Sequence, residues 1–376
     1  MRLADNVGRI PPYPFEEIKT RLKRKECIDL SIGDPDLPTP SFVMDALCQA
    51  ARDPANHRYP SGRGEKEFRE AVAEWYKRRF GVDVDPEREV TALIGCKEGI
   101  ANTMRAFIDP NDRVLIPEPG YPAYNGAVLL CGGNPSPMAL SGENGFLPAL
   151  DSDVEAKLMI LNYPNNPTGS VADKDFLAEV VDLAQRNDLL VCYDNVYSEI
   201  TFDGYEAPSL LQIDGGAEVG IEFYSCSKTF SMTGDRIGFA VGNNGLIEGL
   251  GKVKEQTDSG PPIYIQKAAI KALESYSNGT PKFLVKNVGE YRERRDLLVE
   301  GLRSLGVECR RPKGTFYVWL KCDRGPGEFA TRLFNAGVVV MPGIAFGERG
   351  EGYVRFSLTQ PKERIEEALE RIETVL

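Results

Sequence analysis

The stretch Ile221-Glu222-Phe223-Tyr224-Ser225-Cys226-Ser227-Lys228, with Arg236 eight residues after the lysine, decides how the chain reads. An apolar, strand-like run ends in two hydroxyls and a lysine, and a guanidinium follows close behind. A lysine so placed can form a Schiff base with an aldehyde. Hydroxyls and a guanidinium suit a phosphate dianion. One ligand that carries both an aldehyde and a phosphate would use every member of the set.

Working outward, short apolar runs alternate with amphipathic stretches from about residue 65 to residue 275. Strands are expected at Val90–Ile94, Arg113–Pro117, Leu158–Asn162, Leu189–Tyr193, Ile221–Ser225 and Ile237–Val241. Several are apolar throughout, as strands covered on both faces are. Between them lie helix patterns such as Asp173–Asn187, with Phe176, Leu177, Val180, Val181 and Ala184 at helical spacing. The alternation predicts an α/β fold with a mainly parallel sheet. Near Gln266 the texture changes to a long charged helix over roughly Pro281–Leu305. Strands at Thr315–Leu320 and Tyr353–Leu358 and a last helix near Pro361–Val375 follow. This second, α+β part is expected to be completed by the N-terminal arm.

At 376 residues two packed domains are the default. The apolar fraction of 42% and charged fraction of 27% are those of a soluble globular protein. A net charge of −11 disfavours nucleic acid and anionic membrane as partners, so a phosphate site must rest on local donors. No export signature opens the chain, and no run approaches the ~18 apolar residues that span a bilayer. The eight cysteines form no C-x-x-C pair and fit a reducing cytoplasm. His57 is the single histidine, which speaks against histidine triads and most zinc sites; no metal is expected. Gly62-Arg63-Gly64-Glu65-Lys66 lacks the spacing of a nucleotide-binding loop.

Parallel α/β sheets place ligands beyond the C-terminal ends of their strands. Asn166, Asp194, Lys228 and the Cys96-Lys97-Glu98 helix start all sit there. The aldehyde–phosphate ligand these residue types suit is pyridoxal 5′-phosphate. An aspartate such as Asp194 keeps its pyridine nitrogen protonated, so that the ring accepts electrons from a carbanion. Asn166 and Tyr197 suit the ring's phenolic oxygen, and Tyr121 can stack on the ring face. Ser225, Ser227, Arg236 and the Cys96 and Lys97 amides suit the phosphate. Taken singly, each residue has a plainer reading. Asn166-Pro167-Thr168-Gly169 makes a turn, Asp194 a helix cap, Lys228 a solvated side chain and Arg236 a surface ion pair. Their common place at strand ends favours the ligand.

With these strings in view, the chain resembles the class I/II aminotransferases, pyridoxal-phosphate enzymes of fold type I. Tyr59-Pro60-Ser61-Gly62, Pro119-Gly120-Tyr121-Pro122, Asn165-Asn166-Pro167-Thr168-Gly169, Asp194-Asn195-Val196-Tyr197, Ser225-Cys226-Ser227-Lys228-Thr229 and Tyr353-Val354-Arg355-Phe356-Ser357 carry the likeness. The resemblance implies a large domain with a mainly parallel seven-stranded sheet between helices and a smaller α+β domain that closes on substrate. The division expected is an arm and part of the small domain over 1–37, the cofactor domain over 38–275, and the small domain over 276–376. It further implies that Lys228 carries the cofactor and shuttles the substrate proton, with Asp194 and Tyr197 as its catalytic companions. Arg355, Gly33 and Asn166 would meet the substrate α-carboxylate, and Tyr13 would contact substrate from the arm. Tyr59 would reach the phosphate of a neighbouring subunit, which implies a homodimer with shared sites.

Ser31-Ile32-Gly33-Asp34-Pro35-Asp36-Leu37-Pro38 and Ile94-Gly95-Cys96-Lys97-Glu98-Gly99 look most like the LL-diaminopimelate branch of that family. The amino donor implied is LL-2,6-diaminopimelate and the acceptor 2-oxoglutarate. Donors such as aspartate, alanine or aromatic amino acids, and a β-lyase reaction on the same fold, remain open. A binding protein that keeps the fold is a third reading, but its usual mark is a lost lysine. The branch usually carries tryptophan where this chain has Asp235. Asp235 could pair with Arg236 and weaken the phosphate clamp, but adjacent residues rarely face one partner, so it is expected to point the other way.

Overall fold

The computed structural model describes residues 2–13, 27–322 and 326–376. Residues 14–26 of the expected N-terminal arm thus lie outside the described residues. The strands in chain order are β1 (Ile28–Asp29), β2 (Val90–Leu93), β3 (Arg113–Glu118), β4 (Asn134–Ala139), β5 (Leu158–Asn162) and β6 (Leu190–Asp194). They continue with β7 (Gly220–Ser225), β8 (Gly238–Gly242), β9 (Tyr317–Lys321), β10 (Val338–Val339), β11 (Met341–Pro342) and β12 (Tyr353–Ser357).

Seven of them form one sheet in the order β2-β8-β7-β6-β5-β3-β4. β8 alone runs against its neighbours; the other pairs are parallel. This is an α/β fold of type I with a mostly parallel sheet, as expected. Every residue of β2, β5, β7 and β8 is buried, which is why their sequences are largely apolar; the charged Glu222 on β7 is held by Ser209 and Asn195. The sequence reading omitted β4. Its Pro135 and Pro137 lack backbone donors, and β4 pairs with β3 alone, so the prolines are tolerated at the sheet edge.

Helices cover the faces. Lys174–Arg186 begins one residue inside the expected Asp173–Asn187, because the Asp173 carboxylate accepts the Phe176 N–H at 2.9 Å and so becomes the cap. Its buried face is Phe176, Leu177, Val180, Val181, Leu183 and Ala184. On the helix Lys66–Phe80, Trp75 is fully buried, with its ring 4.5 Å from that of Tyr224 on β7 and 5.7 Å from that of Tyr276.

A second, antiparallel sheet has the order β11-β12-β9, and β1 pairs in parallel with β10. The N-terminal segment therefore joins the C-terminal part of the chain. The long helix Lys282–Ser304 spans the junction, held by two buried arginines. Arg294 donates to Asp36 at 2.7 and 3.0 Å and to the Leu358 carbonyl. Arg295 donates to Asp203 at 2.7 and 3.0 Å and to the Pro312 carbonyl. Both guanidinium groups are paired, as burial of a charge requires. Among the described residues no helix is long and apolar enough to cross a membrane.

Truncating Trp75 to alanine should lower unfolding free energy by about 3–5 kcal/mol, since it empties the centre of an aromatic cluster. Urea midpoints of wild type and Trp75→Ala check this; equal midpoints would show that the cluster collapses without loss.

Candidate active site

The sheet geometry collects one set of side chains. β5 ends at Asn162, β6 at Asp194, β7 at Ser225, and the helix Cys96–Phe107 starts just after β2. Beyond these ends lies a cavity of about 410 Å³. Of the residues singled out in the sequence, Tyr13, Gly33, Cys96, Lys97, Tyr121, Asn166, Asp194, Tyr197, Ser225, Ser227, Lys228, Arg236 and Arg355 all line it. Tyr59 does not; it stands 89% exposed on the surface.

Lys228 is the third residue of the short helix Cys226–Thr229, which is capped by the Ser225 hydroxyl accepting the Ser227 N–H. Its Nζ donates to the Gly33 carbonyl at 2.9 Å. Burial pulls the amine's pKa below its ordinary 10.5, opposed by Tyr317 and Asp34 and aided by Arg355 and Arg236. An amine so desolvated is a better nucleophile near neutral pH. Gly33 has to be glycine, because a Cβ there would fall 1.7 Å from the Tyr317 hydroxyl.

Asp194 accepts the Tyr124 hydroxyl on Oδ2 at 2.6 Å, while its buried Oδ1 has no hydrogen-bond partner among the described residues. Burial raises its carboxyl to about 6, against the lowering influence of the Tyr124 bond, of the Val196 backbone N–H and of Lys228. Asn162 ties the neighbourhood together: its Nδ2 donates to the Asp194 carbonyl at 2.7 Å and its Oδ1 accepts the Asn166 N–H at 2.8 Å.

Arg355 on β12 is 1% exposed. It donates to Asn166 Oδ1 at 2.7 Å and to the Ser31 carbonyl at 2.6 Å, and its guanidinium lies 3.9 Å from the centre of the Tyr317 ring. Tyr317 also meets Tyr197, hydroxyl to hydroxyl, at 3.2 Å. At the mouth, the Tyr13 and Tyr121 hydroxyls lie 3.2 Å apart and the Lys97 ammonium sits 4.3 Å from the centre of the Tyr13 ring. Arg236 packs against Gly95, where φ is +111° and a Cβ would come within 2.4 Å of its guanidinium. Among the described residues Asp235 makes no ion pair with Arg236: burial alone raises its carboxyl, and after burial it is the second cause that raises the pKa of the Cys226 thiol.

Sequence reading missed Tyr124, Asn162, Asp34, Thr233 and Tyr317 as members of the cavity. Tyr124 was in reach, being one helical turn after Tyr121. Tyr317 carried no strand-end signal, since it enters from the second sheet.

A family model described as aminotransferase class I and II matches residues 25–372. The LL-diaminopimelate aminotransferase of Moorella thermoacetica is 50% identical over 389 residues, covering 100% of this chain and 99% of that protein. The protein of that name from Desulforudis audaxviator is 49% identical, covering 98% and 96%. Among solved structures, substrate-bound BacF of Bacillus subtilis is similar at a TM-score of 0.94 and 35% identity, covering 100% and 98%. A double mutant of Thermus thermophilus aspartate aminotransferase reaches 0.93 at 32% identity, covering 100% of both chains. The fold and cavity are thus those of a pyridoxal-phosphate-dependent transferase. The chain belongs to the class I and II aminotransferases. The residues present fit the family's cofactor: a buried carboxylate oxygen without a hydrogen-bond partner among the described residues, a desolvated amine, and two hydroxyls with a guanidinium line one cavity.

Asp194 gives a pH test. Its ordinary value is 3.8 and its folded value about 6, so the cofactor-free folded protein holds a proton that the unfolded chain releases. Stability from that proton is fully present below pH 3.8 and lost as pH rises through about 6. Cofactor-free Asp194→Asn should therefore gain on cofactor-free wild type between about pH 4 and about pH 8, by on the order of 3 kcal/mol. Urea midpoints at matched pH measure this; a gap that does not change with pH would take the titration away from Asp194.

Proposed function

We propose that this aminotransferase takes its amino group from LL-2,6-diaminopimelate and passes it to 2-oxoglutarate. The observation that carries the chemistry is the common cavity of Lys228, Asp194 and Arg355: a desolvated amine, a buried carboxyl and a buried guanidinium. The choice of donor is supported by relatives named LL-diaminopimelate aminotransferase at 50% and 49% identity over almost the whole chain.

Pyridoxal phosphate, when bound, supplies an electron sink conjugated to the substrate Cα. Lys228 Nζ would hold it, and the same amine, its basicity lowered by burial, would carry the proton to and from that Cα. Asp194 Oδ1 would keep the ring nitrogen protonated, and the Tyr124 hydroxyl bonded to Oδ2 keeps the carboxyl from rotating away. Asn166 and Tyr197 would hold the ring oxygen, and Tyr121 would pack against the ring. Ser225, Ser227 and Arg236, with the Cys96 and Lys97 amides, would hold the phosphate.

Arg355 holds the substrate α-carboxylate in a fork, helped by Asn166 and the Gly33 backbone, and the Tyr317 ring beneath keeps the guanidinium in plane. Tyr13 contacts the substrate side chain. Tyr59, so exposed in a single chain, serves the phosphate site of a partner subunit, making the working form a homodimer. Movement of a small domain over 276–376, with the arm over 1–37, against the cofactor domain over 38–275 excludes water around the bound substrate. All eight cysteines are free thiols, which supports a cytoplasmic setting.

Arg355→Lys should raise KM for amino donors by about 10- to 100-fold, because an ammonium cannot reproduce the guanidinium fork. Steady-state kinetics read this, and an unaltered KM would remove Arg355 from the substrate site. With 2-oxoglutarate as acceptor, LL-diaminopimelate should give a kcat/KM at least about tenfold above aspartate, alanine and aromatic amino acids. A higher value for one of these would overturn the donor. Pyruvate and ammonia released from a sulfur amino acid without acceptor would point to a lyase.

A further inference from the structure

We infer that Lys254 is a positioning residue that locks the phosphate end of the active-site cavity to the loop carrying Tyr59. The inference rests on the roles proposed above for Arg236, the Cys96–Lys97 turn and Tyr59. Lys254 lies on the helix Asn244–Thr257, and none of its side chain is exposed. A buried ammonium persists only when paired, and this one has two carboxylates. Its Nζ is 3.2 Å from both oxygens of Glu98 and 3.0 and 3.4 Å from those of Asp258.

Each carboxylate leads to a different wall of the site. Glu98 is the third residue of the helix Cys96–Phe107. Its Oε2 reaches back to accept the Ile94 N–H at 3.2 Å, and its Oε1 accepts from Asn102 at 2.5 Å. The bond to Ile94 fixes the Leu93–Ile94 peptide, one residue ahead of Gly95, against which Arg236 packs, and so constrains the turn that carries Cys96 and Lys97 to the cavity. Asp258 Oδ1 accepts the Gly260 N–H at 2.7 Å. Gly260 in turn packs on the loop after Tyr59: a Cβ there would meet the Ser61 carbonyl at 3.3 Å and the Gly62 carbonyl at 3.6 Å. One ammonium therefore joins the cup that holds phosphate in its own chain to the loop that, in the proposed dimer, serves the partner's phosphate. Without it, Glu98 and Asp258 would face each other as like charges behind the cup, and burial and Asp258 already raise the proton affinity of Glu98. Both would turn outward, and the two walls would lose their common anchor.

The measurement is the Kd of pyridoxal phosphate for the cofactor-free protein, by absorbance titration, in wild type, Lys254→Met, Tyr59→Phe and the double variant. Lys254→Met should raise Kd about tenfold, and Tyr59→Phe should cost clearly less in the Lys254→Met background than in wild type. The inference is overturned by a lowered unfolding temperature with wild-type Kd, by two losses that multiply independently, or by Tyr59→Phe having no effect in wild type. Should Lys254→Met fail to fold, Asp258→Asn keeps the Lys254–Glu98 pair and cuts only the loop half of the link. It should raise Kd several-fold and combine with Tyr59→Phe less than multiplicatively; a wild-type Kd or full multiplicativity overturns the coupling. Arg236→Ala separates the two levels. If it leaves Kd unchanged, the phosphate assignment itself falls; if it raises Kd while Lys254→Met does not, only the role of Lys254 falls.

Discussion

A carboxyl group at the end of a central strand, bonded on one oxygen and bare on the other, is costly to keep in an apolar interior. Asp194 is that group. Burial alone pushes its proton affinity up, and the Tyr124 hydroxyl only partly offsets this. Such an arrangement persists in a fold when a ligand completes it. A protonated nitrogen donor offered to Oδ1 would turn an unsatisfied acceptor into a charge-assisted pair. Tyr124 and Asn162 hold the carboxylate and its backbone in place, so that little reorganisation is needed when that pair forms.

The sheet supplies the other half of the arrangement. Because β5, β6 and β7 run parallel, Asn162, Asp194 and Ser225 end at one edge, and the chain leaves each strand beside the cavity. Lys228 follows within one helical turn of that edge. Burial lowers the proton affinity of its amine while it raises that of Asp194, so both groups lie nearer neutrality than either would in water. One dry cavity thus prepares a nucleophile and a proton holder by the same physical cause.

The residues proposed to meet substrate come from the other side. Arg355 and Tyr317 stand on neighbouring strands of the second sheet, and Ser31–Asp34 comes from the N-terminal segment that β1 ties to β10. The long helix Lys282–Ser304 connects these parts to the first sheet through Arg294–Asp36 and Arg295–Asp203. Asp36 lies just beyond Gly33, the carbonyl partner of Lys228, so a shift of that helix would be felt at the amine. Family membership follows from the whole chain, whereas the preference for one donor depends on how these two sides meet around a side chain.

Much was legible without coordinates. Alternating apolar runs and helical patterns specified a mainly parallel α/β sheet, and strand ends pointed to Asn166, Asp194, Lys228 and the Cys96 helix start, because period and strand end are local properties of a sequence. Tyr13, Gly33 and Arg355 came only through the family resemblance. β4 was not legible, since two prolines look like a break until an edge position makes their missing donors harmless. Nor were Tyr124 on Asp194, Tyr317 between Gly33, Tyr197 and Arg355, or Lys254 between Glu98 and Asp258. Lysines and tyrosines are common on surfaces, and nothing in their local spacing marks these as buried. Only the packing of segments far apart in the chain, such as Tyr124 with Asp194 and Lys254 with Glu98, removes them from water and gives them partners.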